Sequence, residues 1–379
     1  MSDRIPFNRP CRTGREEQYV AEALASGHMS GDGAFTKKCA ELLGRALGGA
    51  GVLLTTSCTH ALEMAALLLD LKPGDEVVVP SFTFVSTANA FALHGARPVF
   101  VDVRPDTLNL DERLREKAVG PRTRAVVPVH YAGIGCDMDA IGEIAARRGI
   151  AVVEDNAHGL FGTYRGRPLG SFGALSSLSF HETKNFSCGE GGALVVNDAS
   201  LLPRAEIIRE KGTNRSRFFR GEVDKYTWVD LGSSYLPSDV LAAYLFAQLE
   251  ARERVLAARR SLFEAYGRSL ASWAAEHAVR LPVVPGDRGP SYHMFHMLLP
   301  TPRSREALIG HLRAAGILAV FHYQPLHASP MGRRFGGRAG DCPVTEDVSE
   351  RLLRLPFYND LGAPELERVV SAVLAFREF

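Results

Sequence analysis

An α/β protein, with a mostly parallel central sheet in a large N-terminal domain and a smaller C-terminal α+β domain, is the fold class that three features of the sequence predict. Short, continuous Val-rich runs alternate with helical stretches between residues 51 and 154, the pattern of parallel strands covered on both faces. After Val196 that rhythm stops, and longer helical stretches take over. A chain of 379 residues is long enough for one large domain and a second, smaller one. We place the large domain at residues 1–240, and the long helix with the small domain at 241–379.

Taken in order, amphipathic helices are predicted over 14–25 and 35–47, joined by the glycine-rich loop 26–33. That loop is either a connection or a lid near a ligand. Strands follow at 51–55, 75–80, 97–101, 125–129 and 150–154, with helices at 59–71, 83–94 and 137–148. An alternating strand from 176 runs into Lys184 and the Gly189-Glu190-Gly191-Gly192 turn. Residues 199–211 read as helical, 212–236 as irregular and polar, and 239–271 as strongly helical. The small domain has strands at 292–299 and 317–320, and helices at 305–314 and 364–376; 332–340 (GRRFGGRAG) is its most mobile segment by composition.

The net charge of +1 makes no electrostatic case for nucleic acid or a membrane surface. No apolar run approaches the ~20 residues that cross a bilayer. Cys11, Cys39, Cys58, Cys136, Cys188 and Cys342 are scattered, with neither a CxxC pair nor zinc spacing. A reduced, cytoplasmic protein without a metal is the expectation.

In such sheets ligands sit at the carboxyl ends of the strands, so those ends carry the functional argument. Strand 51–55 enters Thr56-Ser57-Cys58-Thr59, either a plain helix cap or a phosphate cradle of small residues and free amides. Strand 75–80 ends in Ser81-Phe82-Thr83-Phe84, where Phe84 is either core or an aromatic plate for a planar ligand. Strand 150–154 ends in Asp155, with His158 three residues on; the acid either caps the next helix or bonds a protonated ring nitrogen. Lys184, leaving a strand into a tight turn, is a candidate Schiff-base amine, because burial disfavours its ammonium form. A phosphate cradle, an aromatic plate, a carboxylate and a lysine on successive strand ends together match pyridoxal 5′-phosphate.

The segments PSFTFVSTANA (80–90), VVEDNAHG (152–159), SFHETKN (179–185), GEGGA (189–193), EKGTNRS (210–216) and HYQPLH (322–327) resemble the DegT/DnrJ/EryC1/StrS sugar-nucleotide aminotransferases. These are fold type I pyridoxal-phosphate enzymes, and the resemblance runs nearly the whole chain. Among subgroups it is closest to enzymes that aminate C4 of a dTDP-4-keto-6-deoxyhexose. It implies that Lys184 is the cofactor-bearing lysine, Asp155 the partner of the pyridine nitrogen, and Phe84 the aromatic over the ring. It places Cys58, Thr59 and Ser179 at the phosphate, and His158, where many members have Gln, near the cofactor. Asn214 matches an asparagine lent to the phosphate by a second subunit, which implies a homodimer with active sites at its interface. The implied substrates are L-glutamate and dTDP-4-keto-6-deoxy-D-glucose.

A sugar nucleotide has to be held through its diphosphate, and Arg215, Arg217, Arg220 and Lys225 form the one dense basic cluster near the proposed site. A solvated loop is the alternative. Phe7, Asn8, Arg9, Gly31, His130 and Tyr323 are further candidates for the substrate. The rival functions are amination at C3 or of a UDP-linked sugar, and a cofactor-binding regulator without turnover.

Overall fold

The computed structural model describes residues 4–113 and 118–378. Seven strands form the central sheet: β1 (Gly51–Thr55), β2 (Glu76–Pro80), β3 (Arg97–Val101), β4 (Thr123–Val126), β5 (Ala151–Asp155), β6 (Leu175–Ser179) and β7 (Gly192–Val196). Their order is β1-β7-β6-β5-β4-β2-β3. Only β7 runs against its neighbours, pairing antiparallel with β1 and β6. The remaining pairs are parallel.

Val, Leu and Ala populate these strands because both faces are covered. Leu53, Val77, Val79, Ala125, Val153, Leu175 and Leu194 face helices α3 (Cys58–Leu68) and α4 (Ser86–Leu93) in one core. Val52, Leu54, Leu178, Ala193 and Val195 point the other way, toward α1 (Glu16–Ala25) and α2 (Ala34–Ala46). The period-2 alternation of a strand thus feeds two cores from one run of apolar residues.

The strong helical pattern expected over 239–271 divides in two. One helix, Asp239–Glu250, buries Ala242, Ala243, Leu245, Ala247 and Leu249 against α1 and α2. The next, Arg252–Glu276, carries Leu262, Tyr266, Leu270 and Trp273 into the core of the small domain. The helix breaks at Ala251, Val255 still packs in the large-domain core, and the side chains from Leu262 onward enter that of the small domain. Asp239 explains the register: its carboxylate accepts from the amides of Phe35 and Thr36 and from the Thr36 hydroxyl, satisfying first-turn donors of α2.

In the small domain the expected strand 292–299 shortens to His296–Leu298, paired antiparallel with Leu352–Arg354. The run 317–320 is not a continuous strand; it makes single bridges, Ile317 to Ile5 and Val320 to Arg354. The first of these docks the N-terminal arm on the small domain and so carries Phe7 and Asn8 to the site. Two glycines of 332–340 also have a packing reason. Pro330–Arg334 is a short helix, and a Cβ on Gly332 or Gly337 would run into the His327 carbonyl.

Candidate active site

The carboxyl ends of β5 and β6, the start of α3 and the small domain together enclose a cavity of about 600 Å³. Of the residues singled out by sequence, Phe7, Asn8, Cys58, Thr59, Phe84, Asp155, His158, Ser179, Lys184 and Tyr323 line it.

Asp155 is buried, and its neighbours leave its orientation little freedom. Thr87 donates its hydroxyl to Oδ2 at 2.7 Å, and the Ala157 amide donates to Oδ1 at 3.2 Å. Thr87 is itself bonded to Thr83, one turn earlier, at 2.8 Å. A strand sends successive side chains to opposite faces, so the adjacent Glu154 turns away from the cavity. There it accepts from the amides of Gly170 (2.8 Å), Phe172 (2.6 Å) and Gly173 (2.8 Å), and from His130 Nε2 (2.9 Å).

Lys184 follows a turn in which its amide donates to the His181 carbonyl at 2.9 Å. Burial pushes its amine down to about 8, although Cys58 and Asp155 pull the other way; Arg354 adds to the lowering. The neutral amine is the nucleophile, so its share grows as pH rises through that value. We expect the rate at which apoprotein takes up pyridoxal phosphate to climb about tenfold per pH unit and level off above ~8, not above the ~10.4 of a free lysine. Stopped-flow absorbance across pH 6–11 measures this, and a midpoint near 10 would deny the lowered amine.

At the start of α3 both readings of the cap hold together. Ser57 accepts from the His60 amide at 3.1 Å and so caps the helix. Cys58 and Thr59, the first helical residues, line the cavity, where first-turn amides and the helix dipole favour an anion. Burial pushes the Cys58 thiol up to about 12, and Asp155 adds to it; the side chain stays neutral and does not repel a phosphate. Gly192 lies so close that a Cβ would collide with the Ser57–Cys58 peptide. Phe84 is 58% exposed, so the core alternative falls away. Its ring stands 6.3 Å from that of Tyr323 across the cavity wall.

His158 is buried with Nδ1 unpartnered, and it stacks on His293 at 4.1 Å between ring centroids. Burial, with Lys184 and Arg354 nearby, holds its pKa well below the usual histidine value, so the ring is neutral. The open polar atom, the lysine, the acid and the helix terminus fit pyridoxal phosphate: α3 for the phosphate, Asp155 for the ring nitrogen, Lys184 for the aldehyde carbon.

Other expected residues lie elsewhere. His130 is completely buried between Glu154 and the Cys136 amide, which donates to its Nδ1 at 3.1 Å. An amide can only donate, so Nε2 carries the proton shared with Glu154. This is a structural pair, and it keeps His130 off the cavity wall. Arg9 stands 5.2 Å over the Tyr358 ring and 3.6 Å from Glu365. Gly31 packs on Leu236–Pro237 and neighbouring Asp32 pairs with Arg209 at 2.8 Å, whereas residues 26–30 are exposed; none of loop 26–33 lines this cavity of its own chain. Asn214, whose Oδ1 accepts from the Thr227 amide at 2.8 Å, lies outside the cavity of its own chain. So do Arg215, paired with Glu210, and Arg217 and Arg220, paired with Glu222.

Thr87, His293, His322 and Arg354 reach the site without having been singled out. Thr87 had a signal, since Thr83 and Thr87 are four apart on a helix start. His322 sits in the HYQPLH segment beside Tyr323. Arg354 is a cation inside the apolar run LLRLP, which is itself unusual.

A half-buried lysine and a buried acid beside a helix N-terminus, at the strand ends of a mostly parallel sheet, define a fold type I pyridoxal-phosphate-dependent aminotransferase. The chain belongs to the DegT/DnrJ/EryC1/StrS aminotransferase family, whose model matches residues 10–374. Among solved structures it is similar to the aminotransferase TlmJ from Streptoalloteichus hindustanus, at 32% identity over 98% of each chain with a TM-score of 0.89. DesV from S. venezuelae is 32% identical over 98% of each chain, with a TM-score of 0.87. Spr1654 from Streptococcus pneumoniae, in its PMP form, is 27% identical over 97% of this chain and 96% of that one, with a TM-score of 0.90. Among the described residues no helix is long and apolar enough to cross a membrane.

Proposed function

We propose that the protein is a sugar-nucleotide aminotransferase, moving an amino group from L-glutamate to C4 of dTDP-4-keto-6-deoxy-D-glucose to give a dTDP-4-amino-4,6-dideoxyhexose. The observation that carries the transaminase reading is the joint presence of Lys184 and Asp155 on one cavity wall. The choice of sugar and position rests on the resemblance of SFHETKN (179–185) and EKGTNRS (210–216) to C4-aminating enzymes.

Bound pyridoxal phosphate supplies an electron sink for the pair left when a Cα–H bond breaks. Everything else falls to side chains. The α3 N-terminus and Ser179 bind the phosphate, and Phe84 covers a ring face. Asp155 holds a proton on the pyridine nitrogen, in a charge-assisted bond that its two fixed donors aim. Lys184 takes the proton from Cα of the donor and delivers it to C4′, a transfer that an amine titrating near neutrality performs well. In the return half it moves a proton in the opposite sense, to C4 of the sugar.

The protein acts as a homodimer in this proposal, with Asn214 reaching the partner's phosphate. Supporting it, the segment around Asn214 presents Phe219, Trp228 and Leu231 at 70%, 74% and 64% exposure in the single chain, an apolar surface of the kind that marks an interface.

The test is the absorbance of the holoenzyme with L-glutamate, then with the keto sugar. A band near ~420 nm that moves to ~330 nm and returns on adding the sugar is expected for this cofactor chemistry. Product analysis then fixes the carbon. A shift with glutamate and no return with the dTDP sugar would transfer the proposal to another acceptor. A band that ignores every amino donor would deny turnover.

A further inference from the structure

His293 lines the cavity from the segment 291–293 and is only 7% exposed. Bonds from other parts of the chain fix this segment at every residue. The Ser291 amide donates to the Gly133 carbonyl at 3.0 Å, and its hydroxyl donates to the His158 carbonyl. Buried Arg259 donates to the carbonyls of Tyr292 and His293, at 2.9 and 2.6 Å. Tyr292 has a φ of 53°, in the left-handed region that a bulky residue rarely enters. Strain of that kind persists where surrounding bonds hold it, and it gathers at functional sites.

The ring is as constrained as the backbone. It stacks on His158, with 4.1 Å between centroids and 19° between planes. Asn185, which follows Lys184, donates through Nδ2 to the Ser291 carbonyl at 2.7 Å. Its oxygen is therefore the end turned to His293, and Nδ1, 3.0 Å away, carries the proton. Burial first, with His158 and Lys184 adding to it, holds the His293 pKa well below the usual histidine value. In a neutral ring protonated at Nδ1, Nε2 is a bare acceptor. It makes no hydrogen bond among the described residues, although the residue is more than nine-tenths buried. A fixed acceptor of that kind calls for a donor from outside the chain. Lys184 and Arg354 lie nearby, and Arg354 makes no ion pair among the described residues. An ammonium group is repelled there; a neutral hydroxyl is not.

We propose that His293 Nε2 accepts a hydrogen bond from the sugar hydroxyl beside the reacting carbonyl, and so helps to select the acceptor. The proposal rests on the sugar reading above and deepens it. Through Asn185 the ring is tied to the residue next to Lys184, the group that serves the reacting carbon. The hydroxyl in reach is thus on a neighbour of C4. In a 4-keto-6-deoxyhexose, C5 carries the methyl group and the ring oxygen but no hydroxyl, which leaves the hydroxyl on C3.

Measuring kcat/KM of the holoenzyme for dTDP-4-keto-6-deoxy-D-glucose and for its 3-deoxy analogue, in wild type and variant, tests this as a double-mutant cycle. Wild type is expected to prefer the parent sugar about 10- to 100-fold, the worth of one buried hydrogen bond and the partner left unpaired. His293→Phe keeps a ring to stack on His158 and loses the acceptor. It is expected to fall by that factor on the parent sugar, so that the two sugars become equal. A merely structural role would slow both sugars alike and leave their ratio as in wild type. That result overturns the proposal, and so does a wild type that does not distinguish the two sugars. His293→Gln keeps an acceptor on a looser stem and is expected to retain part of the preference. If His293→Phe does not fold, His293→Gln decides alone, and a ratio equal to wild type overturns the proposal. Wild-type protein that turns over neither sugar ends the sugar reading and this proposal with it, whereas turnover with an unaltered ratio ends only the proposal.

Discussion

Lys184→Ala is expected to lose at least ~1000-fold in transamination rate, because it removes both the nucleophile and the proton carrier. Lys184→Arg should lose as much: a guanidinium stays protonated at any working pH, so no free base is available. Neither change should unfold the protein. The amine titrates low because burial opposes its charge, so alanine removes an unfavourable group from the native state. A small exogenous amine added to Lys184→Ala should restore part of the rate and leave Lys184→Arg unchanged, since only alanine opens space. Turnover, melting temperature and rescue measured together decide it; full activity in Lys184→Ala would end the assignment of this lysine.

Asp155→Asn carries the second-largest expected effect. The amide keeps the size of the carboxylate and its Oδ1 as acceptor for the Ala157 amide, while the bond at Thr87 reverses, with Nδ2 donating to the hydroxyl and the hydroxyl donating on to Thr83. What disappears is the negative charge. A carboxylate beside a protonated nitrogen shifts its pKa by one to three units, each a factor of ten. A fall of about 100- to 1000-fold in kcat is therefore expected, with cofactor still bound and melting temperature little changed. Steady-state kinetics beside the absorbance spectrum separate this from cofactor loss. A variant with normal kcat would show that the ring nitrogen needs no charged partner here.

Much of this was legible in the chain. Val-rich strands announce a two-faced sheet because each strand must satisfy two cores, and Leu53 against Val52 and Leu54 shows the alternation in one segment. Cys58, Thr59, Phe84, Asp155, His158, Ser179 and Lys184 were legible because a strand end fixes where a short following segment can go. The expected residues that do not line the cavity of their own chain belong to other kinds of position. His130 follows strand β4 just as Asp155 ends β5, yet it turns inward to pair with Glu154, the residue adjacent to Asp155. No local pattern states that pairing. The basic cluster at 215–220 is met by Glu206, Glu210 and Glu222, acids on both sides of it in sequence.

The sequence by itself determined the α/β class, the family, the cofactor and the lysine–acid pair, because each rests on a local rule of strand periodicity, glycine turns or short motifs. The tertiary structure alone decided that the long helical stretch breaks at Ala251 and serves two cores, that Thr87 orients Asp155, and that Arg354 faces the cavity without an ion pair. Each of these depends on which groups remain unsatisfied after distant segments have packed. Satisfaction of charge and hydrogen bonds is a property of the assembled molecule, and it has no signature within a window of a few residues.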